Sequence, residues 1–158
     1  MIVRRATSKD TDILIELYKE FHEFHVKCIP DRLRVPASYD IGDLRMKLEN
    51  IMSGKSSTII VAELGNTVVG LAEAYIKQDE ANAYRVAHKY VHLQSMVVSE
   101  AYRRHMFGQK ILLAVEQWAR ENDASEMRLD IWEFAAGPLE FYEKQGYCTL
   151  RRTMVKKL

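Results

Sequence analysis

Hydrophobic residues recur every three or four positions in several stretches of this chain, a spacing that predicts amphipathic helices. Just before the first stretch, Thr7 and Asp10 stand three residues apart, as in a capping box, and mark a helix start. The predicted helices run from Ile13 to Cys28, from Ile41 to Met52, from Gly108 to Asn122 and, more briefly, from Gly137 to Gln145.

Runs rich in isoleucine, valine and other apolar residues predict strands between these helices. Thr58 to Leu64 and Thr67 to Ile76 flank Gly65-Asn66, a hairpin turn signal, and their near-continuous apolar character indicates burial on both faces. The remaining predicted strands are Ile2 to Ala6, His92 to Val98, Glu126 to Glu133 and Tyr147 to Val155.

The order of these elements is β, α, α, β, β, β, α, β, α, β. That alternation predicts an α/β or α+β protein, with a sheet covered by helices on both sides. A chain of 158 residues is long enough for one domain with a sizeable core, so we expect residues 1–158 to form a single domain.

Composition narrows the class of protein further. The formal net charge is +1, which gives no reason to expect a nucleic-acid or membrane-surface partner. No apolar run approaches the roughly 20 residues of a membrane-spanning helix, and the first ten residues lack the apolar core of a signal peptide. Cys28 and Cys148 stand far apart, so we expect reduced thiols and a cytoplasmic location.

A basic loop follows the strand His92 to Val98. Arg103 and Arg104 precede a helix that opens near Gly108. Backbone N–H groups at a helix start lack partners, and the helix dipole adds partial positive charge there. Because that combination binds phosphate, the loop is a candidate pyrophosphate site.

The six residues from Arg103 to Gly108 (RRHMFG) resemble the coenzyme motif Gln/Arg-x-x-Gly-x-Gly/Ala of the GCN5-related N-acetyltransferases, the GNAT superfamily. The preceding strand, the following amphipathic helix and the order of elements are similar along nearly the whole chain. The resemblance implies a GNAT-like central mixed sheet of about six or seven strands with helices on both faces. One position departs from the motif, since Met106 stands where the family has its first glycine.

The same resemblance implies acetyl-CoA as co-substrate and assigns residues to it. The strand backbone at Met96, Val97 and Val98 would pair with the pantetheine arm, and N–H groups near Val97 would stabilise the attacked carbonyl. The pyrophosphate would lie against the loop and helix start formed by Arg103, Arg104, His105, Met106, Phe107, Gly108 and Gln109.

The segment Phe141 to Tyr147 (FYEKQGY) resembles the FYEKxGF/Y segment near the end of GNAT enzymes. The resemblance implies that Tyr142 protonates the departing thiolate, because a positioned acid makes a thiolate leave more easily. The alternative is a core tyrosine with a hydrogen-bonded hydroxyl. Ala135 stands where family members usually have an asparagine.

An amine must lose a proton before it can attack a thioester, so a base is needed. His92 is the leading candidate by its position and its near-neutral pKa, with a solvated strand histidine as the alternative. Gln94 and Glu73 are second choices. Glu73 is either a functional carboxylate in a cleft or a residue where its strand emerges into solvent.

His22-Glu23-Phe24-His25 resembles the zinc motif HExxH but is one residue short. With no third ligand in view, we expect two helix histidines and no metal, although His25 could face a substrate cleft. The absence of GxxxxGK[ST] excludes a P-loop nucleotide enzyme.

The chain is therefore interpreted as an acyltransferase that moves an acetyl group from acetyl-CoA to a primary amine, either a small molecule or a protein amino group. The alternative is a regulatory GNAT-fold module whose coenzyme binding is weakened by Met106 and Ala135. The loops Ile29 to Asp40 and Lys77 to Lys89 are expected to border the acceptor pocket, where Glu49, Asp79 and Glu80 could attract a cation. A homodimer would follow the family's habit.

Overall fold

A five-stranded sheet forms the centre of the protein, with its strands in sequence order. In this computed structural model, which describes residues 1–135 and 137–158, the strands are β1 (Ile2–Arg5), β2 (Ser57–Leu64), β3 (Thr67–Gln78), β4 (Lys89–Val98) and β5 (Glu126–Leu129). The first four strands pair antiparallel, and β5 pairs parallel with β4. The sheet is therefore mixed, as predicted.

Helices cover both faces of this sheet. They are α1 (Thr11–Cys28), α2 (Ile41–Ser53), α3 (Phe107–Glu121) and α4 (Leu139–Lys144). One buried cluster joins α1 and α2 to one face, through residues such as Leu14 and Leu48. The other joins α3 and Tyr142 of α4 to the opposite face. The prediction that β2 and β3 are buried on both faces is confirmed, since side chains from both strands enter both clusters.

Local signals placed several boundaries correctly. Gly65 and Asn66 have φ values of 56° and 66°, the left-handed conformation that a tight β2–β3 hairpin needs. Thr7 and Asp10 form the expected capping box, which here caps the start of a short 3-10 helix (Ser8–Asp10) immediately before α1. The loop between Ile29 and Asp40 contains neither helix nor strand, as expected.

Two expectations about the strands are wrong. The predicted strand Tyr147 to Val155 has no regular structure, so the sheet has five strands rather than six or seven. Paired charges at Arg151-Arg152 break the two-residue alternation, and Leu150 and Met154 are 74% and 83% exposed. The strand expected over Glu126 to Glu133 ends at Leu129 because its pairing with β4 stops there.

The point where β4 and β5 diverge positions the candidate site. The parallel pairing runs only from Tyr90 with Glu126 to Leu93 with Leu129. On its other edge, β4 pairs with β3 and forms a bulge close to the same point. Glu73 pairs with Ser95 and Ala74 pairs with Leu93, so Gln94 is the extra residue of the bulge. Beyond Leu93, within the described residues, the β5 side of β4 has no strand partner, so its backbone groups face a gap.

Candidate active site

A cavity of about 520 Å³ opens where β4 and β5 part. Its walls come from α1, β4, the loop that follows β5, and the start of α4. Several residues predicted for the site line this one cavity: His92, Gln94, Met96, Val97, Val98, Arg103 and Tyr142. Residues far apart in sequence are therefore brought together around a single space.

His92 lies in β4 just before the bulge, paired with Tyr75 of β3 and Arg128 of β5. Its side chain is half-buried at the cavity wall. Burial lowers the pKa of His92 below its ordinary value, and the charge of Lys77 lowers it further, while Asp130 and Glu73 oppose this shift. A lowered pKa leaves the imidazole neutral near pH 7, which is the form that can accept a proton.

Tyr142 reaches the cavity from α4. It is 8% exposed and packs edge-on against Phe141 and Tyr147, with ring centroids 5.1 and 5.6 Å away. Burial raises the pKa of Tyr142 to about 12. The phenol therefore stays protonated near neutral pH and can donate its proton or a hydrogen bond into the cavity. The apolar packing fits the core-aromatic alternative as well, but no described residue accepts a hydrogen bond from this hydroxyl.

Glu73 does not emerge into solvent, because its exposed fraction is only 1%. Its carboxylate accepts hydrogen bonds from Tyr18 of α1 at 2.6 Å and from Tyr75 at 2.5 Å. It lies next to Ser95 in the register, yet it is not among the described residues that line the cavity. Its predicted part as a base gains no geometric support from this position.

An aromatic wall closes the α1 side of the cavity, and the sequence analysis did not predict that these residues lie together. Phe24 and His25 lie 6.0 and 6.3 Å from the ring of Phe134, which belongs to the loop after β5. Phe21 packs against His25 with the two rings tilted by 56° and their centroids 4.3 Å apart. The signal was present in the helical spacing of the α1 residues, but only the fold brings the Phe134 loop against them.

Another residue missed in the sequence is Asp130, which follows β5 directly and lines the cavity. The acids proposed to attract a cation, Glu49, Asp79 and Glu80, are not among the described residues that line the cavity, and Asp79 instead pairs with Arg128 at 2.7 Å.

Of the two loops expected to border the pocket, Ile29 to Asp40 contributes Leu33, whereas the described part of Lys77 to Lys89 contributes no lining residue. His25 faces the cavity.

The loop between β4 and α3 carries the candidate coenzyme site. Arg104 and Met106 have φ values of 67° and 62°, so Met106 occupies the left-handed conformation that a glycine would adopt at no cost. The Met106 carbonyl accepts the bond from Lys110, which makes Met106 the N-cap of α3. Its side chain is 63% exposed, so the bulk added by methionine lies largely in solvent.

The two arginines of this loop differ in their surroundings. Arg103 turns toward the cavity, where its Nε donates to the Val98 carbonyl at 3.1 Å and its guanidinium lies 5.0 Å from the ring of Phe24. A terminal nitrogen of Arg103 also lies 3.7 Å from Glu20. Arg104 and His105 are exposed. The charge of Arg104 is therefore the one that projects from the loop.

A profile of the acetyltransferase (GNAT) family matches residues 13–147. The chain belongs to the GNAT family. A comparison with curated proteins found no match.

Solved structures show the same GNAT fold at low sequence identity. A tetramutant of the BH1408 protein from Bacillus halodurans is 23% identical, with 100% of both chains covered and a TM-score of 0.89. The aminoglycoside acetyltransferase AAC(6')-Iy, solved with a bisubstrate analog that contains CoA, is 16% identical, with 99% and 97% coverage and a TM-score of 0.78. An aminoglycoside acetyltransferase from a soil metagenomic sample is 16% identical, with 99% and 94% coverage and a TM-score of 0.71.

The features of this GNAT chain fit a CoA-type ligand. The β4 backbone beyond Leu93 has an edge without a strand partner beside the cavity, and the α3 start offers N–H groups beside the exposed Arg104. A Cβ added to Gly108 would make only ordinary contact with Phe141, at 3.6 Å, so this position accommodates either residue of the family motif.

Within residues 1–135 and 137–158, no helix is both long and apolar enough to cross a membrane. The same residues contain no group of three or more His, Cys, Asp or Glu side chains that could hold a metal ion.

Proposed function

We propose that this GNAT protein is an N-acetyltransferase that moves an acetyl group from acetyl-CoA to a primary amine. The observation that carries the proposal is the convergence of His92 and Tyr142 on one cavity at the divergence of β4 and β5. Their pKa values shift in opposite directions, which favours a neutral base and a protonated acid at the same pH.

His92 takes a proton from the ammonium form of the acceptor, directly or through water, and so frees the nitrogen lone pair. The amine attacks the thioester carbonyl carbon, a C–N bond forms, and the C–S bond breaks. Tyr142 gives its proton to the sulfur as CoA leaves as a thiol. The new amide nitrogen loses its second proton, which restores the phenol of Tyr142 through water, and His92 releases the first proton to solvent, so the net products are the amide, CoA thiol and one proton.

The protein backbone supplies the remaining interactions in this proposal. The β4 backbone from Met96 to Val98, on the edge that lacks a strand partner, holds the pantetheine arm in the manner of a neighbouring strand, and an N–H near Val97 stabilises the developing oxyanion. The α3 start, with Phe107, Gly108 and Gln109, holds the pyrophosphate, and Arg104 adds a full charge. Direct attack requires no covalent enzyme intermediate, so neither cysteine takes part.

We further propose a single domain over residues 1–158 that acts in the cytoplasm on small-molecule amines. Two free thiols, at Cys28 and Cys148, support a reducing compartment. The aminoglycoside acetyltransferases among the structural neighbours support a small-molecule acceptor. A homodimer and a protein amino group as acceptor stay untested expectations.

A non-catalytic GNAT-fold module is the second candidate, because Met106 carries a left-handed backbone and Ala135 replaces the usual asparagine. Calorimetric titration with acetyl-CoA tests both candidates. One-to-one binding, followed by amine-dependent release of free thiol, is expected for the enzyme. No binding at millimolar acetyl-CoA would overturn the coenzyme assignment, and binding without thiol release across a panel of amines would favour the module.

A further inference from the structure

The α1 side of the cavity is predominantly aromatic. Phe21, Phe24 and His25 of α1 form a mutually packed wall with Phe134, in which each ring contacts another at centroid distances of 4.3 to 6.3 Å. Rings that are locked together keep a fixed surface, and a fixed aromatic surface selects a flat, apolar ligand body.

Trp132 adds an aromatic side chain of a different kind. It lines the same cavity but is 48% exposed, and no described aromatic ring or cation packs against it. An indole that lines a cavity without a partner offers its face to a ligand, for an apolar ring or for a cation.

The charges at the cavity limit how much positive charge a ligand can carry. Among the described lining residues, Asp130 is the only carboxylate. Glu73, the nearest buried carboxylate on the neighbouring strand, has both oxygens occupied by Tyr18 and Tyr75. Arg103 adds a positive charge beside Phe24, where it bonds the Val98 carbonyl and lies 3.7 Å from Glu20. One carboxylate can neutralise one ammonium group. A ligand with several ammonium groups would leave the others without a negative partner in the cavity.

Asp130 lies where that ammonium is needed. It follows Leu129, which pairs with Leu93, so it is the first residue after the β4–β5 pairing ends and lies two positions beyond Arg128, the partner of His92. Its charge acts on the His92 ring. An ammonium held by Asp130 would therefore be close to the group that removes its proton.

We infer that the acceptor is a primary amine with a single positive charge and a flat apolar body, such as an arylalkylamine, whose ammonium pairs with Asp130 while its body lies against Trp132 and the Phe134 wall. This inference rests on the proposed function for the fate of the amine. It sets the protein apart from the aminoglycoside acetyltransferases that share its fold, because aminoglycosides are polycations.

The test measures binding first and turnover second. The affinities of 2-phenylethylamine, n-butylamine, spermidine and kanamycin are determined by calorimetry with the protein saturated by CoA, which cannot transfer an acetyl group. We expect 2-phenylethylamine to bind at least about tenfold more tightly than each of the other three. Tighter binding of spermidine or kanamycin, or no binding of 2-phenylethylamine, would overturn the inference.

Two variants and one matched control locate the contacts. Asp130→Asn should weaken 2-phenylethylamine binding about tenfold, whereas Glu133→Gln, an exposed acid in the same loop that does not line the cavity, should leave it unchanged. Trp132→Leu should reduce the preference for 2-phenylethylamine over n-butylamine. Equal effects of Asp130→Asn and Glu133→Gln would contradict the assigned ion pair.

Turnover with acetyl-CoA separates this inference from the proposed function. If 2-phenylethylamine binds as expected but releases no thiol, the catalytic proposal fails and the acceptor chemistry stands. If another class of amine is acetylated efficiently while 2-phenylethylamine neither binds nor reacts, the catalytic proposal stands and the inferred acceptor is wrong.

Discussion

The hydroxyl of Tyr18 on α1 donates a 2.6 Å hydrogen bond to Glu73 on β3. Tyr75 donates to the other carboxylate oxygen, and Glu73 is only 1% exposed. Burial and the negative charge of Glu73 raise the pKa of Tyr18 well above its ordinary value, so this phenol remains a donor. Two phenols thus hold a buried carboxylate, and the bond from Tyr18 fastens α1 to the sheet beside Ser95, which lines the cavity.

Removing one of these donors should destabilise the fold. Tyr18→Phe is expected to lower the free energy of unfolding by about 1.5–3 kcal/mol, because it removes a hydrogen bond to a charged group and leaves the carboxylate under-satisfied. Urea denaturation followed by circular dichroism measures the change. Tyr84→Phe, at a side chain that is 96% exposed, serves as the control and should have no effect. Identical unfolding curves for both variants would contradict the structural role of the pair.

Replacing the proposed base should alter the pH dependence of the rate. Because the folded pKa of His92 lies below its ordinary value, kcat/KM should rise as pH increases through that lowered pKa and level off above it. His92→Gln should remove this acidic limb and reduce kcat/KM by about 10²–10⁴-fold. His88→Gln, at an exposed loop histidine, should keep the limb. An unchanged profile for His92→Gln would show that another group is the base.

Removing the proposed acid should slow the chemical step without unfolding the protein. Tyr142→Phe keeps the packed ring and is expected to lower kcat about 10²-fold or more, with little change in the KM for the amine. Tyr147→Phe is the matched control, since this neighbouring phenol donates instead to the sulfur of Met127. A Tyr142→Phe enzyme with unchanged kcat would leave the core-aromatic interpretation as the correct one.

The backbone at Met106 predicts an effect on stability. A left-handed residue with a side chain costs about 1–2 kcal/mol relative to glycine, and the folded protein bears this cost, so Met106→Gly should raise the free energy of unfolding by about 1 kcal/mol, measured by urea denaturation. Met106→Ala removes most of the side chain but keeps the backbone penalty, and it should unfold like the wild type. If alanine stabilises the protein as much as glycine does, the bulk of the methionine rather than its backbone conformation is the source of the cost.

The cluster at the start of the chain should govern stability in acid. Arg4 bonds Asp10 at 2.8 Å and, together with Thr7, lowers the pKa of Asp10 from 3.8 to about 2. A depressed pKa contributes stability above the unfolded-state value, and this contribution is lost as pH falls from about 4 through 2. Asp10→Asn should therefore cost about 2 kcal/mol at pH 7 and much less at pH 2.

Denaturation series at several pH values measure this difference. Asp12→Asn is the control, because its side chain is 85% exposed and should contribute little at any pH. A loss for Asp10→Asn that stays constant from pH 7 to pH 2 would show that packing, and not the charge of Asp10, stabilises this turn.

Sequence periodicity predicted the helices and the first five strands because each depends on near neighbours in the chain. Apolar spacing located α1, α2 and α3 to within a few residues, and the Gly65-Asn66 turn fixed the β2–β3 hairpin. The segment from residue 147 to 155 has apolar and β-branched residues but no strand, because a strand also needs a partner edge. Local composition cannot supply that partner.

The residues of the candidate site also fall into two groups, those that the sequence selected and those that only the fold brought to the site. Motif order along the chain was enough to select His92, Tyr142 and the Arg103 to Gln109 loop, because these signals lie in contiguous segments. Only the tertiary structure decided that Glu73 is buried between two phenols, and that Asp130, Trp132 and Phe134 face α1 across the opening between β4 and β5. Burial and charge balance depend on residues distant in sequence, so they are determined when the chain packs.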